Sequence, residues 1–265
     1  LPSDTHGVKL PNFVGLEKPK IINYLKDKTA SRLAIKIVAS RDKNKLQTLV
    51  DLLRYIGNEP GIVFCNFKDS IELVRAHLDK HDINYACFSG GMEQRDRERS
   101  LIKFRNGTCQ VLIATDLAAR GIDIPEMKYI IHYELPRALE EFTHRNGRTA
   151  RVNEKGTAYV LQWEGERLPG FIKNDRPIDI SKKAPYQPQF WETLFISGGR
   201  KDKISKGDIA GLFFKQGSIT KDQLGVIELK QDCAFVAVPV SIANELVGKL
   251  NNSRLKKKKV RVTIV

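Results

Sequence analysis

The sequence predicts an α/β fold, a parallel sheet with helices on both faces, followed by a smaller α+β domain of βαββαβ order. Three observations predict it. From Leu33 to about Gln162, strand-like runs alternate with helix-like runs across short loops, the rhythm of a parallel sheet with helical crossovers. Several strand runs, such as Gly61-Ile-Val-Phe-Cys65, are apolar throughout, as both-sided burial requires. The rhythm then breaks at a proline-rich stretch, and the last 75 residues have a different element order.

Residues 1–32 contain Pro2, Pro11 and Pro19 and read as an irregular lead-in, the tail of a preceding domain. The first residue is Leu1 rather than Met, so the natural N-terminus is expected upstream. Strands are expected at Leu33–Ala39, Gly61–Cys65, Tyr85–Ser89, Gln110–Thr115, Tyr129–Tyr133 and Thr157–Gln162. Helices are expected at Lys43–Ile56, Asp69–His81, Gln94–Phe104 and Ala138–Thr143. In the first helix Leu46, Leu49, Val50, Leu53 and Ile56 recur at three- and four-residue steps and form one apolar stripe. These elements make a domain over 33–163. Residues 164–190, with Pro169, Pro177, Pro185 and Pro188 among charges, read as a linker. The second domain, 191–265, has strands at Thr193–Ser197, Val226–Leu229, Cys233–Val238 and Lys259–Val265 and helices at Ser205–Lys215 and Ser241–Leu250. That order places two helices on one face of an antiparallel sheet and leaves the other face for a partner.

Composition narrows the function classes. At 265 residues, 41% hydrophobic and 29% charged, the chain is long enough for two folded domains and unlike a disordered one. No run approaches the ~18 apolar residues of a membrane span, and no secretory signal opens the chain, so a cytoplasmic protein without a membrane partner is expected. Cys65, Cys87, Cys109 and Cys233 form no CxxC pair and no histidine stands at zinc spacing, so they read as free thiols and no metal ligands are assigned. The net charge is +14. Residues 190–265 hold 14 Lys and Arg against 7 Asp and Glu, which makes the second domain the more basic per residue and points to a polyanion such as nucleic acid.

Three motifs carry chemistry. In His144-Arg-Asn-Gly-Arg148-Thr-Ala-Arg151, a helix continued from Ala138 would put His144, Arg148 and Arg151 on one face. Guanidinium groups hold their charge and grip phosphate oxygens in a fork, so this face suits a transferring phosphoryl group. Ala114-Thr-Asp-Leu-Ala-Ala-Arg-Gly-Ile-Asp-Ile124 comes directly after a buried strand, where open α/β sheets bind ligands; Asp123 there can accept from ribose hydroxyls, or serve as a cap or turn former. In Phe88-Ser-Gly-Gly-Met-Glu-Gln-Arg-Asp-Arg-Glu-Arg99, Gly90 and Gly91 admit close backbone approach, and Gln94 and Arg97 begin the next helix.

In this order and spacing the three stretches resemble the second domain of the DEAD-box RNA helicases, which has a RecA-like fold. Gly61–Asn66 looks like motif IV, Gln94 and Arg97 like the QxxR element, Ala114–Ile124 like motif V, and His144–Arg151 like motif VI, HRxGRxxR. The resemblance implies ATP and Mg2+ as cofactors, Arg148 and Arg151 reaching the γ-phosphate with Arg151 as arginine finger, and Asp123 on the ATP ribose. It implies His144 facing the other motor domain, and Thr115, Gly90, Gln94 and Arg97 lying along or bracing an RNA backbone track. Two positions depart from the pattern: Phe67 stands where members usually have Thr or Ser, and Ala150 where many have Gly. No GxxxxGK(S/T) and no DEAD tetrapeptide occurs, and Gly198-Gly-Arg-Lys-Asp-Lys-Ile-Ser205 lacks phosphate-loop spacing. ATP is therefore expected to be held mainly by a separate N-terminal helicase domain, and this stretch alone is expected not to hydrolyse it.

The βαββαβ order also suits an RRM-like domain, whose open sheet face stacks bases. Of the usual aromatics only Phe195 and Phe235 remain, and they fit either base stacking or sheet packing. Arg200, Lys201, Lys203, Lys256, Lys257, Lys258 and Lys259 are the candidate phosphate contacts. Phe195–Asp208 resembles the C-terminal domain of the DbpA-type helicases, which implies RNA, specifically large-subunit ribosomal RNA, as partner and ribosome assembly as context. The competing reading is a non-enzymatic RNA-binding adaptor, against which the intact His144–Arg151 motif speaks.

Overall fold

The computed structural model describes residues 33–119, 127–149, 155–172, 176–182, 184 and 189–265. The first domain is built from β1 (Leu33–Ser40), α1 (Leu46–Ile56), β2 (Gly61–Phe64), α2 (Lys68–Asp79), β3 (Tyr85–Phe88), α3 (Gln94–Arg105), β4 (Val111–Ala114), α4 (Asp116–Ala119), β5 (Tyr129–His132), α5 (Leu139–Asn146) and β6 (Gly156–Trp163). The six strands form one sheet in the order β1-β6-β5-β2-β4-β3, and every pairing is parallel. Strands β2, β4 and β5 are buried at every position. One core packs α1 and α2 on one face through Leu49, Leu53, Ile71, Val74 and Leu78. A second packs Phe104, Ala118 and Ala119 with Ile62, Phe64, Leu112 and Ile130 on the other. Each large apolar side chain buried in this way contributes about 1.5–3 kcal/mol.

Two expectations at element ends need correction. The first helix begins at Leu46 rather than Lys43, because Lys45 takes a left-handed backbone (φ 54°). Its buried ammonium turns inward to donate to the Leu161 carbonyl (3.2 Å) and pair with Glu166 (3.0 Å). The helix before motif VI ends at Asn146, short of Arg148, and Gly147–Arg148 form a turn. The described part of the 164–190 stretch lies against the domain: Ile172 is buried with Phe142 and Val160, and the Ile178 amide donates to the Ile37 carbonyl (2.9 Å).

The second domain comprises β7 (Trp191–Ile196), α6 (Lys206–Lys215), β8 (Ile227–Leu229), β9 (Ala234–Pro239), α7 (Val240–Leu250), the short pair β10 (Arg254–Leu255) and β11 (Lys258–Lys259), and β12 (Val262–Ile264). Its antiparallel sheet has the order β12-β7-β9-β8. The β10–β11 hairpin has no counterpart among the expected elements, whose last strand starts at Lys259. Leu194, Ile196, Val236, Val238 and Val262 face α6 and α7, where they meet Ile209, Phe213, Leu246 and Leu250.

Strand alternation sends Thr193, Phe195, Glu228, Phe235 and Ala237 to the other face. That face meets the end of α3. Thr193, fully buried, receives the Asn106 side-chain amide (3.2 Å) and shares a 2.6 Å hydrogen bond with Thr108. Glu228 pairs with Arg105 (3.5 Å), and Lys230 with Glu98 (2.6 Å). Gly107, at φ 76°, ends α3; a β-carbon there would stand 3.2 Å from the Trp191 indole, so the helix stop and the contact both favour glycine. No helix among the described residues is long and apolar enough to cross a membrane.

Candidate functional site

The carboxyl ends of β2, β4 and β5 lie side by side in the sheet, and the chemistry gathers there. Its centre is Arg145, one residue past His144 and fully buried. Its guanidinium donates to both oxygens of Asp116 (2.7 and 2.6 Å), to the Glu134 carbonyl (2.9 Å) and to Asn66 Oδ1 (2.7 Å), and lies 5.2 Å from the Phe64 ring centre. Glu134 in turn accepts from the Asn66 amide (2.6 Å) and the Ser70 hydroxyl (2.8 Å). Three strand ends and α5 are thus tied by one satisfied polar network, the condition under which such a charge can be buried. Sequence reasoning passes over Arg145. The available signal is its spacing: it stands three residues after buried Phe142, on the inward face of α5.

His144 and Arg148 are brought together. Both line a shallow cleft with Phe64, Asp116, Ala119, Glu141 and Arg145, and both are half-buried. They meet through the turn after Asn146, in which the Arg148 amide donates to the Arg145 carbonyl (3.1 Å), and not through a continued helix. Arg145 is committed to Asp116 beneath the cleft, and Arg148 is the more exposed of the two arginines that line it. Arg151 and Asp123 lie outside the described residues.

The track candidates take distinct positions. Gln94 is exposed at the start of α3. Arg97 folds back, donating to the Ser89 carbonyl (3.3 and 3.2 Å) over the Phe88 ring, so it braces the Gly90 loop. Gly90 is exposed, and a β-carbon there would meet no atom within 4 Å. Thr115 accepts the Ala118 amide (3.4 Å) and caps α4.

In the second domain Phe195 and Phe235 stand opposite each other, ring centres 5.6 Å apart and edge to face. Phe235 is 4% exposed, so packing is the role its surroundings give it; the face it lies on is the one turned to α3. The basic run is divided. Lys256 pairs with Asp208 (2.9 Å) and Lys258 with Asp202 (2.8 Å), while Arg200, Lys201, Lys203, Lys257 and Lys259 are exposed and form no ion pair among the described residues. The hydrogen bond from Ser205 and the Lys256 ammonium hold the Asp208 carboxyl down to about 2. Among the described residues no group of three or more His, Cys, Asp or Glu is placed to hold a metal. A larger cavity, about 660 Å³, lies elsewhere, among Leu53, Arg54, His81, Gln110 and Trp191 near the amino ends of the strands.

Two family profiles match the chain: helicase conserved C-terminal domain over residues 44–153, and DbpA RNA binding domain over 193–264. The ATP-dependent RNA helicase DbpA of Bacillus subtilis (strain 168) is 29% identical over 258 residues, covering 85% of this chain and 53% of that protein. The protein of the same description from Escherichia coli (strain K12) is 31% identical over 232 residues, covering 84% of this chain and 50% of that protein. Among solved structures, E. coli DEAD-box protein SrmB bound to regulator of ribonuclease activity A is 33% identical, with a TM-score of 0.47 over 49% of this chain and 78% of that one. The chain spans about half the length of the curated relatives it matches.

Proposed function

We propose, for a chain that belongs to the DEAD-box RNA helicases as their C-terminal helicase domain joined to a DbpA RNA-binding domain, that it serves an ATP-dependent RNA-remodelling enzyme as its second motor lobe and its targeting module. The observation that carries this is the meeting of His144 and Arg148 at one cleft over the Arg145–Asp116 network. ATP, with Mg2+ held by the N-terminal helicase domain, would supply the phosphoryl group whose transfer drives the cycle. The residues here suit its phosphate end, since Arg148 is a fixed cation on a rigid base. Arg148 binds phosphate oxygens, Arg151 acts as the arginine finger, Asp123 takes the ribose, and His144 faces the opposite lobe. Thr115, Gly90 and Gln94 follow the RNA backbone while Arg97 holds their loop.

In the targeting module we assign RNA binding to Arg200, Lys201, Lys203, Lys257 and Lys259, with Lys256 and Lys258 setting the shape of the hairpin. Large-subunit ribosomal RNA in the cytoplasm is the target we favour, on the likeness to the DbpA RNA binding domain. Four free cysteines suit a reducing compartment. The test is Arg151→Ala in the full-length enzyme. RNA-stimulated ATPase should fall by about 10³-fold or more while RNA tethering persists; retained ATPase refutes the finger.

A further inference from the structure

Phe67 departs from the motif that surrounds it, and its neighbourhood explains how. It comes after Asn66 at the carboxyl end of β2 and is 53% exposed. The guanidinium of Arg137, from the loop between β5 and α5, lies 4.9 Å from its ring centre. The two loops are fastened together beneath this pair. The Asn66 side-chain amide donates to the Leu135 carbonyl (3.0 Å), and the Asn66 and Ser70 bonds to Glu134 fix the rest. Arg137 is also anchored by its own backbone amide, which donates to Glu141 (2.8 Å). Its guanidinium makes no ion pair among the described residues and is exposed. A guanidinium lying on an aromatic face keeps its N–H fork free in the ring-parallel plane, ready for a bidentate anion. The residue after Phe67 reaches the glycine loop: the Lys68 ammonium stands 3.1 Å from where a β-carbon of Gly91 would be. Phe67, Thr115 and Gly90 thus close the ends of the neighbouring strands β2, β4 and β3.

We propose that Arg137, placed over the Phe67 ring, is a ligand for an RNA backbone phosphate at the carboxyl ends of the strands, on the β2–β5 side of the proposed track. The aromatic ring positions the cation and does not itself read a base. This rests on the proposed RNA track, so the experiment separates the two. Labelled oligouridine is titrated across a series of salt concentrations with the 265-residue chain carrying Arg200→Ala, Lys201→Ala, Lys203→Ala, Lys257→Ala and Lys259→Ala, so that the second domain does not mask the track, as this background alone and with Arg137→Ala, Arg137→Lys, Phe67→Ala or Gln94→Glu. All four variants change exposed residues, and circular dichroism verifies their fold. Gln94→Glu places a repelling charge on the track without touching the pair.

We expect Arg137→Ala to weaken binding several-fold and to lower the log–log salt slope by about one unit. Arg137→Lys should recover little, because an ammonium has no plane to lay on the ring. Phe67→Ala should weaken binding while keeping most of the slope. If Gln94→Glu weakens binding and Arg137→Ala does not, the Arg137 assignment falls and the track stands. If neither changes it, both fall. Loss of affinity in Arg137→Ala with an unchanged slope, or full affinity in Phe67→Ala, also overturns the inference.

Discussion

Arg145 shows how a single side chain is committed by its surroundings. Four acceptor contacts and an aromatic face surround a guanidinium that no water reaches. Arg145→Met keeps the length and removes the charge, leaving Asp116 and Asn66 without their partner. Loss of one member of such a pair costs about 3–5 kcal/mol, and the urea midpoint of the chain should fall accordingly; a change under about 1 kcal/mol would mean the network is not a structural centre. Arg148, one turn on, stays half-buried at the cleft. Two arginines three residues apart therefore differ in role because one lies on the inward face of α5 and the other in the turn after it. The motif displays both as cations, and the division between them comes from where α5 stops.

At the level of elements, strands and helices were largely legible, since burial on both faces writes an unmistakable apolar run. Ends were less so. The Lys45 reversal depends on Leu161 and Glu166, more than a hundred residues away, and α4 spans only Asp116–Ala119, too short for any periodicity. The β10–β11 hairpin turns at Lys256 (φ 53°) and is pinned by buried Leu255 and Val260, with Lys256 and Lys258 paired to Asp208 and Asp202, which a run of four lysines does not announce. The capping box Ser205–Asp208, by contrast, is readable as S-x-x-D at the start of α6.

The contact of β5 with α5 carries a pH dependence. His132 Nε2 meets Asn146 Oδ1 (3.0 Å), so it donates, and Nδ1 is left buried without a partner. Burial, then the Arg145 charge, hold the ring down to about 3 from its ordinary 6.5. A base whose folded value is depressed gives its full stability above 6.5 and loses it as the pH falls toward 3. Between about pH 6.5 and about pH 5 the loss is about 2 kcal/mol. Urea unfolding at the two pH values should show that extra loss in the wild type and not in His132→Gln; equal losses would remove His132 as the cause.

For the whole molecule, the two domains were legible as separate patterns, and their union was not. Nothing in the periodicity of β7 says that Thr193 will be buried against Asn106 and Thr108, because both partners lie 87 and 85 residues away in another domain. The sheet face expected to stay open is the one that docks. Thr193→Val would strand two buried polar groups, at about 1–3 kcal/mol each. We expect it to split a single thermal unfolding transition into two and to enlarge the radius measured by X-ray scattering. One unshifted transition would show that the interface does not couple the domains.

Helix α3 runs through all of this. Its first residue, Gln94, stands on the proposed RNA track, and its last turn, with Arg105 and Asn106, carries the small domain. Twelve helical residues make a rod of about 18 Å. On the proposed roles, the interval between the RNA track at Gln94 and the docked face of the second domain is then fixed by a helix. A connecting peptide of adjustable reach does not set it. The second domain is in this way held off the strand ends by a rigid strut.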